Sequence, residues 1–478
     1  MKAETQDVAI VGISCRAPGA DSIAAFWSML QNCRSGIEDI PADRWDVQKY
    51  YDADPMKPGK MNTKKGGYIH NIREFDAAFF NISPKEAESI DPQQRLMLEM
   101  TWEALEDAGI LPEDIKGSKT GVFIGSCSND FSTMVFNHDT DHPYAGTGTT
   151  NCIIANRLSY VFDLKGPSMS YDAACASSLV AVINSCKSIM EGESVLAIAG
   201  GIHLTLLPGV TVSFSKAGLI SSSNVCRPFD DRADGYLRSE GGGLIILKSL
   251  KEAQKDGDNI YAVIKGGAVN HNGKSNGLSA PNPMAQEEVL KEAYKNCGIS
   301  SAEGIGYIEA QGIGTRLGDA IEMKAISNFL NGAGGAQQVC KIGSLKSNIG
   351  HTEAASGILS LIKVALSMKN GSIPATINYE QPNSMVDLRK LNLEIQCDNT
   401  LWPQQKNYAG VSAFGFGGVN AHVVLERTVD NKVSRSEFTH TPLMLVLTAK
   451  SEAALQKQCS AVAAYLSESE DADLEAIC

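Results

Sequence analysis

The pattern of apolar and polar positions along the chain predicts strands and helices in alternation. Short apolar runs bounded by glycine or polar residues indicate buried strands, and apolar residues at helical spacing predict the helices between them. The predicted strands are 7–13, 121–125, 195–201, 244–247 and 261–264. The predicted helices include 24–30, 91–109 and a segment that begins near Cys175. Repeated strand–helix units favour an α/β architecture with helices covering both faces of a sheet.

The segment 169–182 carries the first chemical signal, because it joins a strand-like run to an apolar helix through a cysteine. A cysteine at a helix N-terminus faces unpaired backbone N–H groups and the positive end of the helix dipole, which favours the thiolate. The small residues Ala174 and Ala176 leave room for a substrate carbonyl to approach the sulfur of Cys175. The alternative is a structural core cysteine, which is the commoner role of a free cysteine.

Three further stretches combine a strand-like run with a glycine-rich turn. They are 306–322, 341–357 and 410–422. Glycine permits positive φ and lets the backbone approach a substrate closely, so these turns are candidate parts of a site. None of them fits a dinucleotide-binding fingerprint or a phosphate-binding P-loop.

Composition narrows the class of function. The chain has 478 residues, of which 43% are hydrophobic and 20% are charged, and its formal net charge is −13. This acidic balance argues against a nucleic-acid or anionic-membrane surface. The N-terminus lacks the pattern of a signal peptide, and no apolar run approaches about 18 residues, so we expect a cytoplasmic protein without a membrane span. The twelve cysteines form no CxxC pairs, which fits reduced thiols rather than a disulfide framework or a metal site.

Together these motifs resemble those of the β-ketoacyl synthase domains of modular polyketide synthases, within the thiolase-like superfamily. The resemblance extends from about residue 7 to residue 426. The run Asp-Ala-Ala-Cys-Ala-Ser-Ser is similar to the family's nucleophile segment, and Cys175 matches the thiol that takes an acyl chain from an acyl carrier protein. Lys346 and His351 match the family's lysine and second histidine. Phe416 matches a gating aromatic residue, whose backbone N–H would form the oxyanion hole with that of Cys175.

One family motif is altered. The family pattern is Glu-Ala-His-Gly-Thr-Gly-Thr, whereas this chain has Glu-Ala-Gln-Gly-Ile-Gly-Thr at 309–315. Gln311 replaces the first catalytic histidine and Ile313 replaces a threonine, while Thr315 is kept. By resemblance, Ile313, Thr315 and Phe414 are assigned to substrate binding. A glutamine amide cannot carry a proton at neutral pH, and losing a positioned acid, base or charge-stabilising group costs about 10²–10⁴ in rate.

The sequence therefore predicts a non-elongating ketosynthase domain, an acyltransferase that accepts an acyl chain on Cys175 and passes it on without decarboxylative condensation. Two alternatives stay open. One is a condensing ketosynthase in which Gln311 hydrogen-bonds the thioester carbonyl while His351 does the rest. The other is a non-catalytic dimeric scaffold that docks carrier proteins. Among the remaining histidines, His422 is assigned a structural role.

The resemblance also implies a fold and partners. It implies a five-layered αβαβα fold made of two similar halves, at about 1–250 and 251–426, and a homodimer. Residues 427–478 resemble the truncated start of the linker domain that follows ketosynthases, with a polar connection at 427–441, a strand at 443–447 and a helix at 451–466. No cofactor or metal is expected to be bound, because the substrate arrives on the phosphopantetheine of a partner acyl carrier protein. Adjacent polyketide synthase domains are the other expected partners.

Overall fold

The computed structural model of the chain describes residues 7–138, 143–334, 339–428, 443–468 and 474–478. The described residues fall into two compact units. The larger one lies within 1–75 and 85–428, and the smaller one lies within 76–84 and 429–478. Among the helices of the described residues, none has both the length and the hydropathy that crossing a membrane requires.

The strands and helices alternate along the larger unit, as the apolar pattern predicts. In chain order the strands are β1 (Val8–Arg16), β2 (Ile37–Asp39), β3 (Lys65–Gly67), β4 (Thr120–Gly125), β5 (Ser168–Tyr171), β6 (Leu196–His203), β7 (Gly241–Ser249), β8 (Ala262–His271), β9 (Ile305–Glu309), β10 (Cys340–Gly343), β11 (Ser372–Ile373), β12 (Leu393–Ile395), β13 (Thr400–Leu401), β14 (Tyr408–Phe414) and β15 (Val419–Glu426). The α-helices are α1 (Ile23–Gln31), α2 (Val47–Tyr50), α3 (Pro84–Ser89), α4 (Pro92–Asp107), α5 (Pro112–Ile115), α6 (Asp130–His138), α7 (Ala145–Thr149), α8 (Cys152–Val161), α9 (Ser177–Met190), α10 (Gly209–Lys216), α11 (Leu250–Asp256), α12 (Pro283–Asn296), α13 (Arg316–Gly332), α14 (Lys346–Ile349), α15 (Ser356–Asn370), α16 (Leu388–Leu391), α17 (Glu452–Glu468) and α18 (Leu474–Ile477).

In the described part of the chain, eleven strands form one mixed sheet in the order β12-β10-β9-β14-β15-β8-β1-β7-β6-β4-β5. Two five-stranded halves within it have the same layout. In β5-β4-β6-β7-β1 and in β10-β9-β14-β15-β8, the order is third, second, fourth, fifth and first along the chain. In this sheet order, the first three strands of each half pair parallel to one another. The third strand pairs antiparallel with the fourth, and the fourth pairs antiparallel with the fifth. A short antiparallel ladder between β1 and β8 joins the halves. This repeat confirms the prediction of two similar halves.

Two buried helices lie between the halves. Helix α9 packs on β4 and β6, α15 packs on β7 and β14, and the two helices contact each other. Every residue of α15 from Ser356 to Met368 is buried, as expected for a helix that is enclosed on all sides. Helices α4 and α8 cover the outer face of the first half, and α12 covers that of the second with α13 packed against it. The fold is therefore the predicted five-layered, thiolase-like αβαβα arrangement.

The buried strands and tight helix contacts follow from particular residues. All residues of β4 and β6 are buried, which explains their continuous apolar runs, because strands covered on both faces show no alternation. At Gly125, an added Cβ would lie 2.5 Å from the backbone nitrogen of Ser178, so only glycine allows α9 to approach β4 this closely. That close approach places the start of α9 directly at the ends of the strands.

One element predicted near the C-terminus is wrong. Residues 443–449 are described and form no strand, and Met444 and Val446 are well exposed. The prediction used apolar character alone, but an apolar run forms a strand only when another strand pairs with it. The helix predicted at 451–466 is present as α17. Most of the connection predicted at 427–441 lies outside the described residues.

Candidate active site

A strained turn presents Cys175 at the start of α9. Strand β5 leads into Ala174, whose φ of 51° lies in the left-handed region, and the 3₁₀ turn Ala174–Ala176 precedes α9. The hydroxyl of Ser177 secures this turn, since it accepts from the N–H of Ala173 at 2.9 Å and donates to the carbonyl of Ala174 at 2.6 Å. Backbone strain of this kind persists only where the surroundings hold it, and it is common at functional sites.

The environment of the Cys175 sulfur differs from the prediction. The residue is only 9% exposed, and burial raises the pKa of its thiol to about 12, with a further increase from Glu353. Lys346 and the backbone N–H groups of Phe416 and Cys175 act in the opposite direction but are outweighed. The expected lowering of the pKa is therefore wrong, because burial exceeds the effect of the helix terminus. The N–H groups of Phe416 and Cys175 both lie close enough to the sulfur to affect its pKa.

His351 is a neutral imidazole whose tautomer is set by the backbone. Its Nδ1 accepts a hydrogen bond from the N–H of Glu353 at 3.2 Å, so the ring proton lies on Nε2. Burial lowers the pKa of His351 to about 3, with Lys346 adding to the effect. The ring of Tyr236 contacts the imidazole edge-on at a centroid distance of 5.1 Å. His351 therefore presents a neutral N–H donor.

Lys346 is held in the core beside buried carboxylates. It is 2% exposed, and burial lowers its pKa, although Glu309 and Glu322 oppose that shift. Glu309 itself pairs with the fully buried Lys363 at 2.7 Å and accepts from the N–H of Leu345 at 2.6 Å. Glu309 is thus bound to helix α15 by a buried ion pair and to the residue before Lys346 by a backbone hydrogen bond.

The amide of Gln311 has one possible orientation. Its Nε2 donates to the carbonyl oxygen of Phe414 at 3.1 Å, and a carbonyl can only accept, so the amide nitrogen must face Phe414. The Oε1 atom is buried and has no hydrogen-bond partner among the described residues. The backbone of the turn is fixed by Glu322, which accepts from the N–H of Gln311 at 2.7 Å and that of Gly312 at 2.9 Å. The amide nitrogen of Gln311 is therefore not free to donate to a substrate in the site.

One cavity of about 380 Å³ collects nearly all of the predicted site residues. The predicted residues that line it are Cys175, Gln311, Ile313, Thr315, His351, Phe414 and Phe416. Lys346 does not line it and lies behind it in the core. Phe416 is 57% exposed and contacts Phe214 edge-on at a centroid distance of 5.9 Å, which suits a movable aromatic residue at the mouth of the cavity.

Sequence reasoning missed a buried charged cluster beside the cavity. Two guanidinium nitrogens of Arg238, Nε and Nη2, donate to the two carboxylate oxygens of Glu353. The third nitrogen, Nη1, donates to the hydroxyl of Thr211 at 2.9 Å. Burial acts to raise the pKa of Glu353, but Arg238 outweighs burial and holds that pKa at about 2. Glu353 also has a φ of 44°, and its N–H is the group that fixes His351. The available signal was an acidic residue two positions after His351.

Three potential metal ligands meet at the same cluster. The ligand atoms of Cys127, His203 and Glu353 lie within 4.8 Å of one another. However, both oxygens of Glu353 are engaged by the guanidinium of Arg238, and a metal ion would be placed directly beside that positive charge. The donor set therefore fits an ion-pair network better than a metal site.

Comparison with known families identifies the chain. Residues 5–253 match the family "Beta-ketoacyl synthase, N-terminal domain", and residues 261–380 match "Beta-ketoacyl synthase, C-terminal domain". The chain belongs to the β-ketoacyl synthase family. Residues 382–477 match the "Ketoacyl-synthetase C-terminal extension". The family expected from the motifs is therefore confirmed, and this family comprises enzymes that transfer or condense acyl groups.

Curated relatives agree with the family. One protein of the phenolphthiocerol/phthiocerol polyketide synthase of Mycobacterium tuberculosis is 42% identical over 429 residues, which is 89% of this chain and 28% of that protein. A second protein of the same synthase is 44% identical over 429 residues, which is 88% of this chain and 23% of that protein. The chain thus spans about a quarter of the length of these relatives.

Two solved ketosynthases share the fold over almost the whole chain. The oxazolomycin ketosynthase domain of Streptomyces albus has a TM-score of 0.91 at 36% identity, covering 96% of this chain and 80% of that one. The ketosynthase from module 6 of the bacillaene synthase of Bacillus subtilis has a TM-score of 0.91 at 37% identity, covering 98% of this chain and 79% of that one. The chain is a ketosynthase domain of the polyketide synthase type.

Proposed function

We propose that this ketosynthase moves an acyl chain from one carrier to the next without extending it. In the acylation step, the sulfur of Cys175 attacks the thioester carbonyl of an acyl-phosphopantetheine, and the pantetheine sulfur leaves with the proton that the Cys175 thiol gives up. The N–H groups of Cys175 and Phe416 stabilise the oxyanion that forms during the attack. The reverse exchange with a second pantetheine thiol releases the chain to the next carrier.

The orientation of Gln311 is the observation that carries this proposal. Condensation requires loss of carbon dioxide from a malonyl extender and stabilisation of the resulting enolate by hydrogen-bond donors. Because the amide nitrogen of Gln311 donates to the carbonyl of Phe414, it is not free to donate to an enolate oxygen. The N–H of His351 is then left to carry alone the work that two imidazoles share in condensing members of the family.

The two alternative functions are less well supported. Compensation by Gln311 would require its side-chain amide to flip. The flip would break the hydrogen bond to Phe414 and place the amide oxygen against the carbonyl oxygen of Phe414, which are both acceptors. A pure scaffold would not need the strained turn at Ala174 or two N–H groups close to the sulfur of Cys175. These features support an enzyme that retains acyl transfer.

The proposed partners are acyl carrier proteins, which present the substrate on phosphopantetheine, and neighbouring polyketide synthase domains.

We also propose a cytoplasmic homodimer. Strand β5 is the last strand of the sheet, and unpaired edge strands readily pair with another chain. Met169 on β5 and Tyr160 on α8 are exposed apolar residues near that edge. Sedimentation equilibrium of the purified domain should give twice the chain mass, and a monomer at micromolar concentration would contradict the dimer.

The transfer function is tested by measuring both half-reactions on one preparation. Acylation is followed by intact mass after incubation with an acyl-pantetheine thioester, and decarboxylation is followed by release of labelled carbon dioxide from malonyl carrier protein. We expect a single acyl mass on the protein and little carbon dioxide. Robust release of carbon dioxide together with a two-carbon extension would establish the condensing alternative. Absence of acylation would favour the scaffold.

A further inference from the structure

One side of the cavity that contains Cys175 is lined by apolar side chains that are only partly buried. These side chains belong to Phe214, Leu219 and Ile313, and together they are called the apolar wall. All three pack against one buried cluster, which consists of Ile220, Cys226 and Tyr236. Ile313 is the member of the wall that departs from the family pattern, in which a threonine stands at this position.

The backbone on both sides of Ile313 is held in place. The carbonyl of Gly312 accepts from the hydroxyl of Ser344 at 2.8 Å. The carbonyl of Gly314 accepts from the N–H of Gly235 at 3.0 Å. The two flanking glycines have φ values of 36° and 80°, in the left-handed region that glycine adopts without strain. The turn therefore presents Ile313 to the cavity in one fixed position.

The apolar wall is continuous with the reacting groups through two ring contacts. Phe214 contacts Phe416 edge-on at a centroid distance of 5.9 Å, and the N–H of Phe416 lies close to the sulfur of Cys175. Tyr236, in the cluster behind the wall, contacts the imidazole of His351 at a centroid distance of 5.1 Å. An acyl chain carried on Cys175 would therefore have this apolar surface beside it.

The charged residues that line the same cavity are acidic. Within the described part of the chain they are Asp319, Glu322 and Glu353, and no lysine or arginine lines the cavity. Arg238 lies behind the lining and is paired with Glu353, and Lys346 lies in the core close to Glu322. A carboxylate that entered the cavity would lose its water and meet carboxyl groups instead of a cation, which is unfavourable.

We infer that Ile313 is a specificity-determining residue, which with the rest of the apolar wall makes Cys175 accept neutral apolar acyl chains and reject chains that end in a carboxylate. This inference rests on the proposed transfer through Cys175 and names its substrate class. Isoleucine in place of the family's threonine removes a hydroxyl that could bind a polar group, and it adds apolar surface that favours an alkyl group.

The test compares three pantetheine thioesters of matched shape. The chains are 5-methylhexanoyl, glutaramyl and glutaryl, which have the same length and branching and end in an isopropyl group, an amide and a carboxylate. None of them can lose carbon dioxide as a malonyl group does, so the comparison is independent of condensation. The rate of acylation of Cys175 is measured by mass spectrometry. We expect 5-methylhexanoyl to react roughly 100-fold faster than glutaryl, with glutaramyl between them.

Variants locate the preference at Ile313. Ile313→Thr should lower the ratio of 5-methylhexanoyl to glutaryl rates roughly tenfold, whatever happens to each absolute rate. Ile313→Val keeps an apolar side chain in the wall and should keep the wild-type ratio. Ile299→Thr is the matched control, because Ile299 is a partly buried isoleucine that packs on a different core cluster and does not line this cavity. Its ratio should equal that of the wild type.

The outcomes separate this inference from the proposed function. Equal rates for 5-methylhexanoyl and glutaryl in the wild type would overturn the inference and leave non-elongating transfer intact. Equal rates for 5-methylhexanoyl and glutaramyl would also overturn it, since the wall would then not select apolar chains. An unchanged ratio in Ile313→Thr would contradict the assignment to Ile313. The apolar preference combined with robust two-carbon extension from malonyl carrier protein would keep the inference and refute the transfer function. Failure of every thioester to acylate would contradict both proposals.

Discussion

In each half of the sheet, the third strand along the chain leads through a turn into a buried central helix. In the first half β5 leads through Cys175 into α9, and in the second half β10 leads through Lys346 and His351 into α15. The altered motif lies elsewhere. The second strand of the second half, β9, leads through Gln311 into α13, which packs on the outer helix α12. The retained chemistry and the altered chemistry therefore belong to turns of different kinds.

The two kinds of turn are also anchored differently. The central turns are bound to each other, since Ser356 donates to the carbonyl of Cys175 at 3.3 Å and Ser178 accepts from the N–H of Ile358 at 3.0 Å. The turn at Gln311 is anchored by Glu322 of the helix that follows it, and Ser344 of the second central turn donates to the carbonyl of Gly312 at 2.8 Å. These contacts hold the backbone of the Gln311 turn, so under the proposed function a change of the side chain at 311 is expected to affect enolate stabilisation without moving the nucleophile. The comparison supports the proposal that acyl transfer and condensation are separable in this fold.

The largest expected effect comes from removing the nucleophile. Cys175→Ala should abolish the acyl mass added by a pantetheine thioester, because the sulfur is the atom that forms the new bond. Cys127→Ala is the matched control, since Cys127 is a second thiol in the lining of the same cavity. It should still acylate. Labelling that persists in Cys175→Ala and disappears in Cys127→Ala would reverse the assignment.

Restoring the altered turn should produce the next largest effect. Gln311→His should raise the rate of malonyl decarboxylation, and the double variant with Ile313→Thr should raise it further, within the roughly 10²–10⁴-fold range that such groups contribute. The two changes lie in one turn, so their effects are expected to be non-additive. Acylation of Cys175 should change little, because its turn is held by Ser177 and Ser356 and not by the side chain at 311. If neither variant gains decarboxylation while both acylate, the block lies in the shape of the extender pocket.

A third change tests the charged cluster that stabilises the turn of the second half. Arg238→Met leaves Glu353 as an unpaired buried charge, so the free energy of unfolding should fall by about 3–5 kcal/mol. Urea denaturation monitored by far-ultraviolet circular dichroism measures this. Lys255→Met removes an exposed pair with Glu252 and should leave the midpoint close to that of the wild type. Equal midpoints for the two variants would show that the Arg238 pair is not important for stability.

Much of the fold could be predicted from the sequence, because buried strands and glycine-rich turns leave strong local patterns. The strands at 121–125 and 195–201 were predicted correctly, since parallel strands covered on both faces are continuously apolar. The strand at 443–447 was not, because pairing depends on a partner that the local pattern does not contain. The repeated strand order was also invisible in the sequence, since it is a property of pairing.

The site residues could be predicted only where a family motif identifies them. Cys175, His351 and Gln311 were expected together, and they line one cavity. Their pKa values were not predictable from the sequence. A helix terminus can be recognised from a local pattern, whereas the burial that shifts these pKa values depends on the whole fold. Arg238 and Glu353 were missed because residues 115 positions apart in the chain show no local pattern that pairs them. The free oxygen of Gln311 likewise depends on Phe414, far along the chain.

The smallest expected effect concerns the pH dependence of the nucleophile, and it decides between burial and the helix terminus. Burial raises the pKa of Cys175 to about 12, so the thiolate fraction at neutral pH is small and grows about tenfold for each unit of rising pH. Alkylation of Cys175 by iodoacetamide should accelerate accordingly from pH 7 to 9 without a plateau, whereas an ordinary thiol approaches its plateau there. His351, with a pKa of about 3, stays neutral throughout and should add no inflection. The rate is measured by peptide mass spectrometry in Cys127→Ala, which removes the second cavity thiol. A plateau near pH 7 would mean that the helix terminus and the N–H of Phe416 outweigh burial.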